Sequence, residues 1–432
     1  MNRALFFEIF FVNRFARSRV APNMYIFAIA AAAVFGSQAQ VTGWDDYRQA
    51  ELLLNDGLLD VYTDPIGGAT PAFWVMDPVK SQITEISGRL RKNDYLAERY
   101  ALIDHYAAAL NSISIGNTKP VSVLTSEPMV HDLSPLSYNA AKLLVAQSYC
   151  KGSEGDSAGS VQPLLSSLTL TGRLNGYTLL GNLFGSLADK ETYARFSEIL
   201  PSLSLKDIQT VQAFVNGELS QPAPLANMIQ AYQAHFERNL GALGSYDKDA
   251  NDYVSGYSKS IAAQLSTASQ ADLKAFVQEL RSATQAQTAQ MMTVAQGPED
   301  QWWQSTMSWP SHPQAQDVAP GSTMQQLADA LLPNMTLGLH QVALVELTRR
   351  AELRLLSLNA AIVAYRWHNH HLPSSLGQCV PDSATYDPLS GQAFAYELNP
   401  TGYRLYSKGR PDTGIVELNY AGLPSSTRPA KP

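Results

Sequence analysis

Cysteine and clustered positive charge are both scarce in this sequence. Two cysteines occur in 432 residues, and the scattered lysine and arginine residues are outnumbered by aspartate and glutamate, 31 to 38. A protein that follows nucleic-acid phosphates needs an excess or a cluster of basic side chains, so the composition excludes nucleic acid as a partner. Neither cysteine directly follows the N-terminal apolar run, which excludes a lipid-modified N-terminal cysteine.

The pairing of Cys150 and Cys379 stays open at this stage. In an oxidising compartment a disulfide between them would close a long loop and contribute up to about 5 kcal/mol through loop-closure entropy. Two unpaired, buried thiols are the interpretation that we favour, because connectivity cannot be read from sequence alone.

The N-terminal part lacks an apolar run long enough to span a membrane. Its apolar run, Met24–Phe35, is preceded by Arg14, Arg17 and Arg19 and followed by Ser37-Gln38-Ala39. A membrane-spanning helix needs about 20 apolar residues, whereas this order of basic, apolar and small residues is typical of a cleaved signal peptide. We therefore expect residues 1–39 to be a signal peptide and the protein to be exported to the periplasm or cell surface. The alternative is an uncleaved anchor, and that segment is the only membrane contact that we expect.

The body of the chain carries a helical pattern. Apolar residues recur at helical spacing over most of residues 80–295, which predicts amphipathic helices that pack through one face. Short breaks rich in proline and glycine separate them and predict antiparallel helix hairpins, arranged as a bundle or a solenoid. Ser204 with Asp207, and Ser269 with Asp272, have the spacing of helix N-terminal caps. We therefore expect a mostly α fold whose helical-hairpin body covers residues 40–295.

A segment of different composition follows, over residues 296–322. It is rich in Gly, Pro, Gln and Ser, and it contains Trp302, Trp303 and Trp309. This composition predicts a loop or linker and makes the segment the best candidate for an internal boundary. Its tryptophans either bind a partner through their amphipathic rings or tuck the loop onto the body, and the second role is the more common.

Residues 323–371 form the next region, where apolar spacing predicts a long helix. Five charged residues stand near its centre: Glu346, Arg349, Arg350, Glu352 and Arg354. Glu346 and Arg350 are four positions apart, the spacing of an ion pair on a helix surface. We therefore interpret the five charged residues as a solvated face rather than as a site.

The C-terminal part predicts a small β structure. Alternating runs at residues 393–398 and 403–407 flank Asn399-Pro400-Thr401-Gly402, which favours a β-hairpin, with residues 415–418 as a candidate third strand. We assign residues 372–420 to this tail and expect residues 421–432 to be a disordered end.

A series of motifs in this region resembles a known family. In order, they are Ala364-Tyr365-Arg366, Leu372-Pro373-Ser374-Ser375-Leu376, Asp387-Pro388-Leu389-Ser390-Gly391 and Tyr403 to Gly409. Residues 350–418 thereby resemble the globular part of type II secretion major pseudopilins, and a similar tail occurs on uncharacterised exported helical proteins of bacteria. No prepilin cleavage signal precedes the helix, so assembly into a pilus by that route is excluded.

The pseudopilin resemblance implies a calcium loop near the end of the tail. The corresponding stretch here, Gly409–Gly414, offers one carboxylate, Asp412, beside Ser407, and Arg410 opposes a cation. Calcium takes about six to eight oxygen ligands, so we do not expect a bound calcium.

The one dense cluster of ligand-type residues is Trp367-His368-Asn369-His370-His371. On a helix His368 and His371 share a face, and with Asp382 or Asp387 they form a candidate zinc site. Histidine at a helix C-terminus also interacts favourably with the helix dipole, and the His-Glu-x-x-His spacing of zinc hydrolases is missing. We therefore expect no cofactor.

Two functions follow from these features. Export, helical hairpins and the lack of a recognised reactive constellation favour a non-catalytic protein that binds or scaffolds another envelope component, either a protein or a polymer. The alternative is an exported hydrolase whose site lies between the helical body and the tail, near His368, His371 and Asp387.

Overall fold

The computed structural model describes a helical body and a C-terminal sheet. The described residues are 43–59, 96–121, 134–175, 179–221, 225–244, 250–251, 254–255, 258–299, 302, 318–335, 337–410 and 414–417. The expected signal peptide, the expected disordered end, and Trp303, Trp309 and Asp412 lie outside the described residues.

Twelve α-helices occur in the described residues. They are α1 (Gly43–Leu59), α2 (Leu96–His105), α3 (Ala107–Thr118), α4 (Ser134–Ser153), α5 (Ser157–Asn175), α6 (Leu179–Ile199), α7 (Leu205–Ser220), α8 (Leu225–Leu243), α9 (Lys259–Leu265), α10 (Gln270–Gln296), α11 (Met324–Met335) and α12 (Leu337–Asn369). The mostly α fold with a small β tail is therefore confirmed. No helix among the described residues is long and apolar enough to cross a membrane.

Both predicted helix caps are present. The Ser204 hydroxyl accepts a hydrogen bond from the Asp207 amide at the start of α7. Ser269 and Asp272 form a reciprocal capping box at the start of α10. Each cap satisfies amides that have no partner within the helix, which fixes where these helices begin.

The helices pack around α12. Short connections join α4 to α5 and α7 to α8 in sequence, and α4, α5 and α6 pack on one another. Helices α6, α7 and α8 then contact α12. One hydrophobic cluster runs from Val145 to Leu405, and a smaller one joins α1, α3, α4 and α5 around Trp44 and Ile113.

Helical residues cover most of the expected long helix over residues 323–371. α11 covers Met324–Met335 and α12 covers Leu337–Asn369. α11 packs on α10, whereas α12 contacts α6, α7 and α8.

Residues on both sides of the segment after α10 belong to one hydrophobic cluster. Trp302 is buried in the same hydrophobic cluster as α12, and its indole nitrogen donates to the Gly297 carbonyl at 3.1 Å. The Trp302 ring therefore packs on the body of the protein.

The C-terminal tail is a three-stranded antiparallel sheet. Its strands are β1 (Ala395–Asn399), β2 (Gly402–Arg410) and β3 (Gly414–Glu417), in that spatial order. Phe394, Tyr403 and Leu405 join the hydrophobic cluster that contains Leu358 and Ile362 of α12. Leu398, the last residue of the first alternating run, is 51% exposed. The tail is therefore packed on α12 rather than detached from it.

A buried hydrogen bond fastens the sheet to α12. The Tyr403 hydroxyl donates to Asn359 Oδ1 at 2.7 Å, and Asn359 Nδ2 donates to the Leu355 carbonyl at 2.9 Å. Burial raises the pKa of Tyr403 far above its ordinary value, so the phenol is the donor at any physiological pH.

Tyr403→Phe tests this connection. The change leaves Asn359 Oδ1 buried without its donor, which costs about 1–3 kcal/mol. We expect urea unfolding to show a free energy of unfolding lower by that amount. The matched control is Tyr406→Phe, whose hydroxyl donates to Glu397 at the surface and whose loss should cost at most about 0.5 kcal/mol. Equal effects of the two changes would contradict the role of Tyr403.

Candidate functional site

Four of the five charged residues at the centre of α12 are buried and Arg354 is half-buried, so their interpretation as a solvated face was wrong. Glu346 is 0% exposed, and Arg349, Arg350 and Glu352 are all buried as well. The physical reason is the position of α12, which is contacted by α6, α7 and α8 and by the sheet. A helix surrounded in this way has no face left for solvent.

Arg349 is the centre of this group. Its Nε lies 3.8 Å from Asp189 Oδ2 of α6, and its Nη2 lies 3.4 Å from Glu218 Oε2 of α7. Its Nη1 lies 3.9 Å from Glu346 Oε1 within α12. A guanidinium presents its donors in a planar fork, so one side chain can serve three carboxylates on three helices.

Two further arginines share one carboxylate. Arg350 Nε and Arg354 Nη2 lie 2.7 and 3.0 Å from the two oxygens of Glu299. Arg350 also donates to the Leu219 carbonyl in the last turn of α7, and Arg354 donates to the Tyr386 carbonyl before the sheet. These bonds join α12 to α7, to the segment after α10 and to the tail.

We call these side chains the buried charge cluster: Asp189, Glu218, Glu299, Glu346, Arg349, Arg350, Glu352 and Arg354. Its five carboxylates outnumber its three guanidinium groups. Thr171 of α5 donates to Asp189 Oδ1 at 2.5 Å. Asp189 Oδ2 and both oxygens of Glu346 have no hydrogen-bond partner among the described residues.

Burial changes the ionisation of the acids in the cluster. It raises the pKa of Asp189 to about 7, although Arg349 and the Thr171 hydroxyl act in the opposite direction. Burial also raises the pKa of Glu352 to about 8, with a further contribution from the charge of Asp189. The pKa of Glu346 is raised by burial too. The cluster therefore retains protons near neutral pH.

The proposed metal ligands are not brought together. The described residues contain no group of three or more His, Cys, Asp or Glu side chains that could hold a metal ion. α12 ends at Asn369, and His370 takes the left-handed conformation with φ of 60°. His371 therefore leaves the helix, and it does not share a helical face with His368 as the spacing suggested.

Asp387 has a structural role. It is buried, and its carboxylate accepts hydrogen bonds from the Leu389 amide and from the Ser390 and Ser407 hydroxyls. Ser407 also accepts a bond from the Gly409 amide. The Asp387 carboxylate thus holds the turn that precedes the sheet against β2.

The two cysteines are free thiols in the structure. Cys150 is buried near the end of α4, whereas Cys379 follows the short 3-10 helix Leu376–Gln378 in the tail. Burial raises the pKa of both thiols, which keeps them protonated and weakly reactive.

Sequence reasoning missed one motif. Gly155-Asp156-Ser157-Ala158-Gly159 matches the Gly-x-Ser-x-Gly pattern of hydrolases, in which the serine follows a strand. Here the pattern lies between helices α4 and α5. Asp156 caps α5 by accepting from the Gly159 amide, and the Ser157 hydroxyl donates to Asp207 at 2.9 Å. The motif therefore connects the starts of α5 and α7 and is not a nucleophile elbow.

A second candidate site is the exposed face of α10. Residues 282–296 contain no charged side chain. We call its solvent-facing residues the uncharged face of α10: Ser282, Gln285, Ala286, Ala289, Gln290, Thr293 and Gln296, all of them exposed. With a rise of about 1.5 Å per residue, this face is about 21 Å long.

Comparison of the chain with protein families, with characterised proteins and with solved structures finds no match in any of the three. The pseudopilin resemblance of residues 350–418 therefore stays a sequence-based prediction.

Gly172→Ala tests how closely α5 approaches the buried charge cluster. A Cβ at Gly172 would collide with the Arg349 guanidinium, whereas one at Gly217 in α7 would meet nothing. Overpacking in a dense core costs about 1–3 kcal/mol, while alanine in an open helix position stabilises by up to about 1 kcal/mol. We expect Gly172→Ala to lower the free energy of unfolding and Gly217→Ala to leave it equal or higher. Stabilisation by both changes would contradict the close approach.

Proposed function

We propose that this chain is an exported, non-catalytic protein of the bacterial envelope that binds another envelope component through the uncharged face of α10. The observation that carries the proposal is the exposure of a long helical surface without charge. Solvent-facing helix surfaces normally carry charged residues, whereas charge is depleted at the centre of binding interfaces.

The chemistry of this face indicates the kind of partner. Gln290 and Gln296 offer amide donors and acceptors, and Ser282 adds a hydroxyl. Ala286 and Ala289 between them allow a partner to approach the helix closely. Such a surface suits a partner with neutral hydroxyl and amide groups, whether a polymer or a protein segment.

The rest of the fold supports a scaffold role. α10 packs on α8 and α11 through its buried side, which includes Leu273, Phe276 and Leu280. At its C-terminal end, Glu299 pairs with Arg350 and Arg354 of α12. The face is therefore presented on a helix that is fixed at both its buried side and its end, which lowers the entropy lost on binding.

The hydrolase alternative draws no support from the geometry near its expected residues. The Asp387 carboxylate is occupied by three internal donors. His368 and His371 are exposed, and the His371 ring is directed to the Leu372 carbonyl.

Export rests on the N-terminal sequence, whose basic, apolar and small-residue order favours cleavage before Gln40.

Ala286→Glu tests the binding face. We expect the purified chain to cosediment with the isolated envelope fraction of the cells that make it, and Ala286→Glu to reduce the bound fraction at least tenfold, because a charge would have to be buried. The matched control is Ala213→Glu on the exposed surface of α7, which should bind as the wild type does.

Two outcomes would contradict the proposed function. Equal binding by the two variants would remove the uncharged face of α10 from the interaction. N-terminal sequencing of the cellular protein should give a chain that starts at Gln40; recovery of the full-length chain in the cytoplasm would contradict export.

A further inference from the structure

We infer that the chain takes up protons as it folds, at the buried charge cluster, so that acid tightens and alkali loosens the packing of α12 against α5, α6 and α7. Asp189, Glu346 and Glu352 are buried together with Arg349 and Arg350, so three buried carboxylates face two buried guanidinium groups. Glu218, Glu299 and Arg354 lie at the edge of the cluster and are partly exposed. Because Arg350 is also paired with Glu299 at 2.7 Å, the buried carboxylates lack a full set of cationic counterparts. Asp189 and Glu346 are 0% exposed, so water does not neutralise the excess.

A proton balances this excess better than a metal ion does. Arg349 lies within 4 Å of both Asp189 and Glu346. A metal ion placed between these two carboxylates would meet the guanidinium charge, and the described residues contain no ligand group for one. A proton bound to a carboxylate removes a negative charge without adding a separate cation.

Charged groups, titratable groups and one hydroxyl face the cluster from five parts of the chain. They are the Thr171 hydroxyl from α5; Asp189, Lys190 and Tyr193 from α6; Glu218 from α7; Glu299 from the segment after α10; and Glu346, Arg349, Arg350, Glu352 and Arg354 from α12. Lys190 is exposed, so its charge is screened by solvent and offsets the excess only weakly.

The ionisation of the acids gives the sign of the effect. Burial raises the pKa of Asp189 from 3.8 to about 7 and that of Glu352 from 4.5 to about 8. Between the unfolded and folded pKa values, the folded chain holds a proton that the unfolded chain has lost. Stability is therefore greatest below the unfolded pKa values, falls as the pH rises through this window and levels off above the folded values.

The test compares urea unfolding of the wild type and of Glu352→Gln from pH 5 to pH 9. Each retained proton makes the unfolding constant rise about tenfold per pH unit within its window. Glutamine imitates the protonated acid but cannot ionise. Between pH 5 and pH 7, we expect the unfolding constant of Glu352→Gln to rise about tenfold less per pH unit than that of the wild type. Glu279→Gln on the exposed surface of α10 should keep the wild-type dependence.

A second measurement needs no variant. When the wild type is unfolded by urea at pH 6 in weakly buffered solution with an indicator dye, we expect it to release about two protons per chain. Equal pH dependence of the wild type and Glu352→Gln, or no proton release on unfolding, would overturn the inference. Neither result bears on export or on the α10 face, so failure here is distinguishable from failure of the proposed function.

Discussion

The fold depends on one constraint: α12 has no solvent-facing side near its centre, yet it carries five charged residues there. Every charge must therefore be balanced by an opposite charge or by a bound proton. Asp189 and Glu218 bring α6 and α7 to Arg349, and Glu299 brings the segment after α10 to Arg350. These ion pairs join three parts of the chain to α12.

The tail also depends on packing against α12, nearer the C-terminal end of that helix. A small sheet becomes stable when it packs an apolar face against another element. Tyr403 and Leu405 therefore lie against α12 in the main hydrophobic cluster, and Arg354 donates to the carbonyl of Tyr386 just before the sheet. The buried charge cluster and the sheet thus both pack on α12.

Local features of the fold could be predicted from the sequence, whereas features that join distant residues could not. The caps at Ser204 and Ser269 and the strands of the tail depend on neighbours within a few positions. The burial of Glu346 and Arg349 depends on Asp189 and Glu218, over a hundred positions away. The four-residue spacing of Glu346 and Arg350 does not reveal this burial, because the same spacing occurs on surface helices. One signal was available: apolar residues occupy every face of α12 between Leu355 and Val363, which is typical of a central helix.

The positions of the proposed metal ligands could not be predicted from their spacing for a different reason. Spacing predicts that His368 and His371 share a face only while the helix continues, and the left-handed conformation of His370 ends it. Asp387 lies in the expected region, but a buried carboxylate near two serines satisfies their hydroxyls first. The uncharged face of α10 could be predicted only in part. The lack of charge in residues 282–296 can be read from the sequence, whereas their exposure depends on the packing of α8 and α11 against the opposite side of α10.

Arg349→Met tests most directly whether Arg349 joins the helices around α12. The change keeps most of the side-chain volume but leaves Asp189, Glu218 and Glu346 without their shared cation. Removing one partner of a fully ionised buried pair costs about 3–5 kcal/mol. Because the buried acids hold protons near neutral pH, we expect the free energy of unfolding at pH 7 to fall by about 1–3 kcal/mol. Lys274→Met on the exposed surface of α10 should change it by no more than about 0.5 kcal/mol. A loss below about 1 kcal/mol for Arg349→Met would contradict the account.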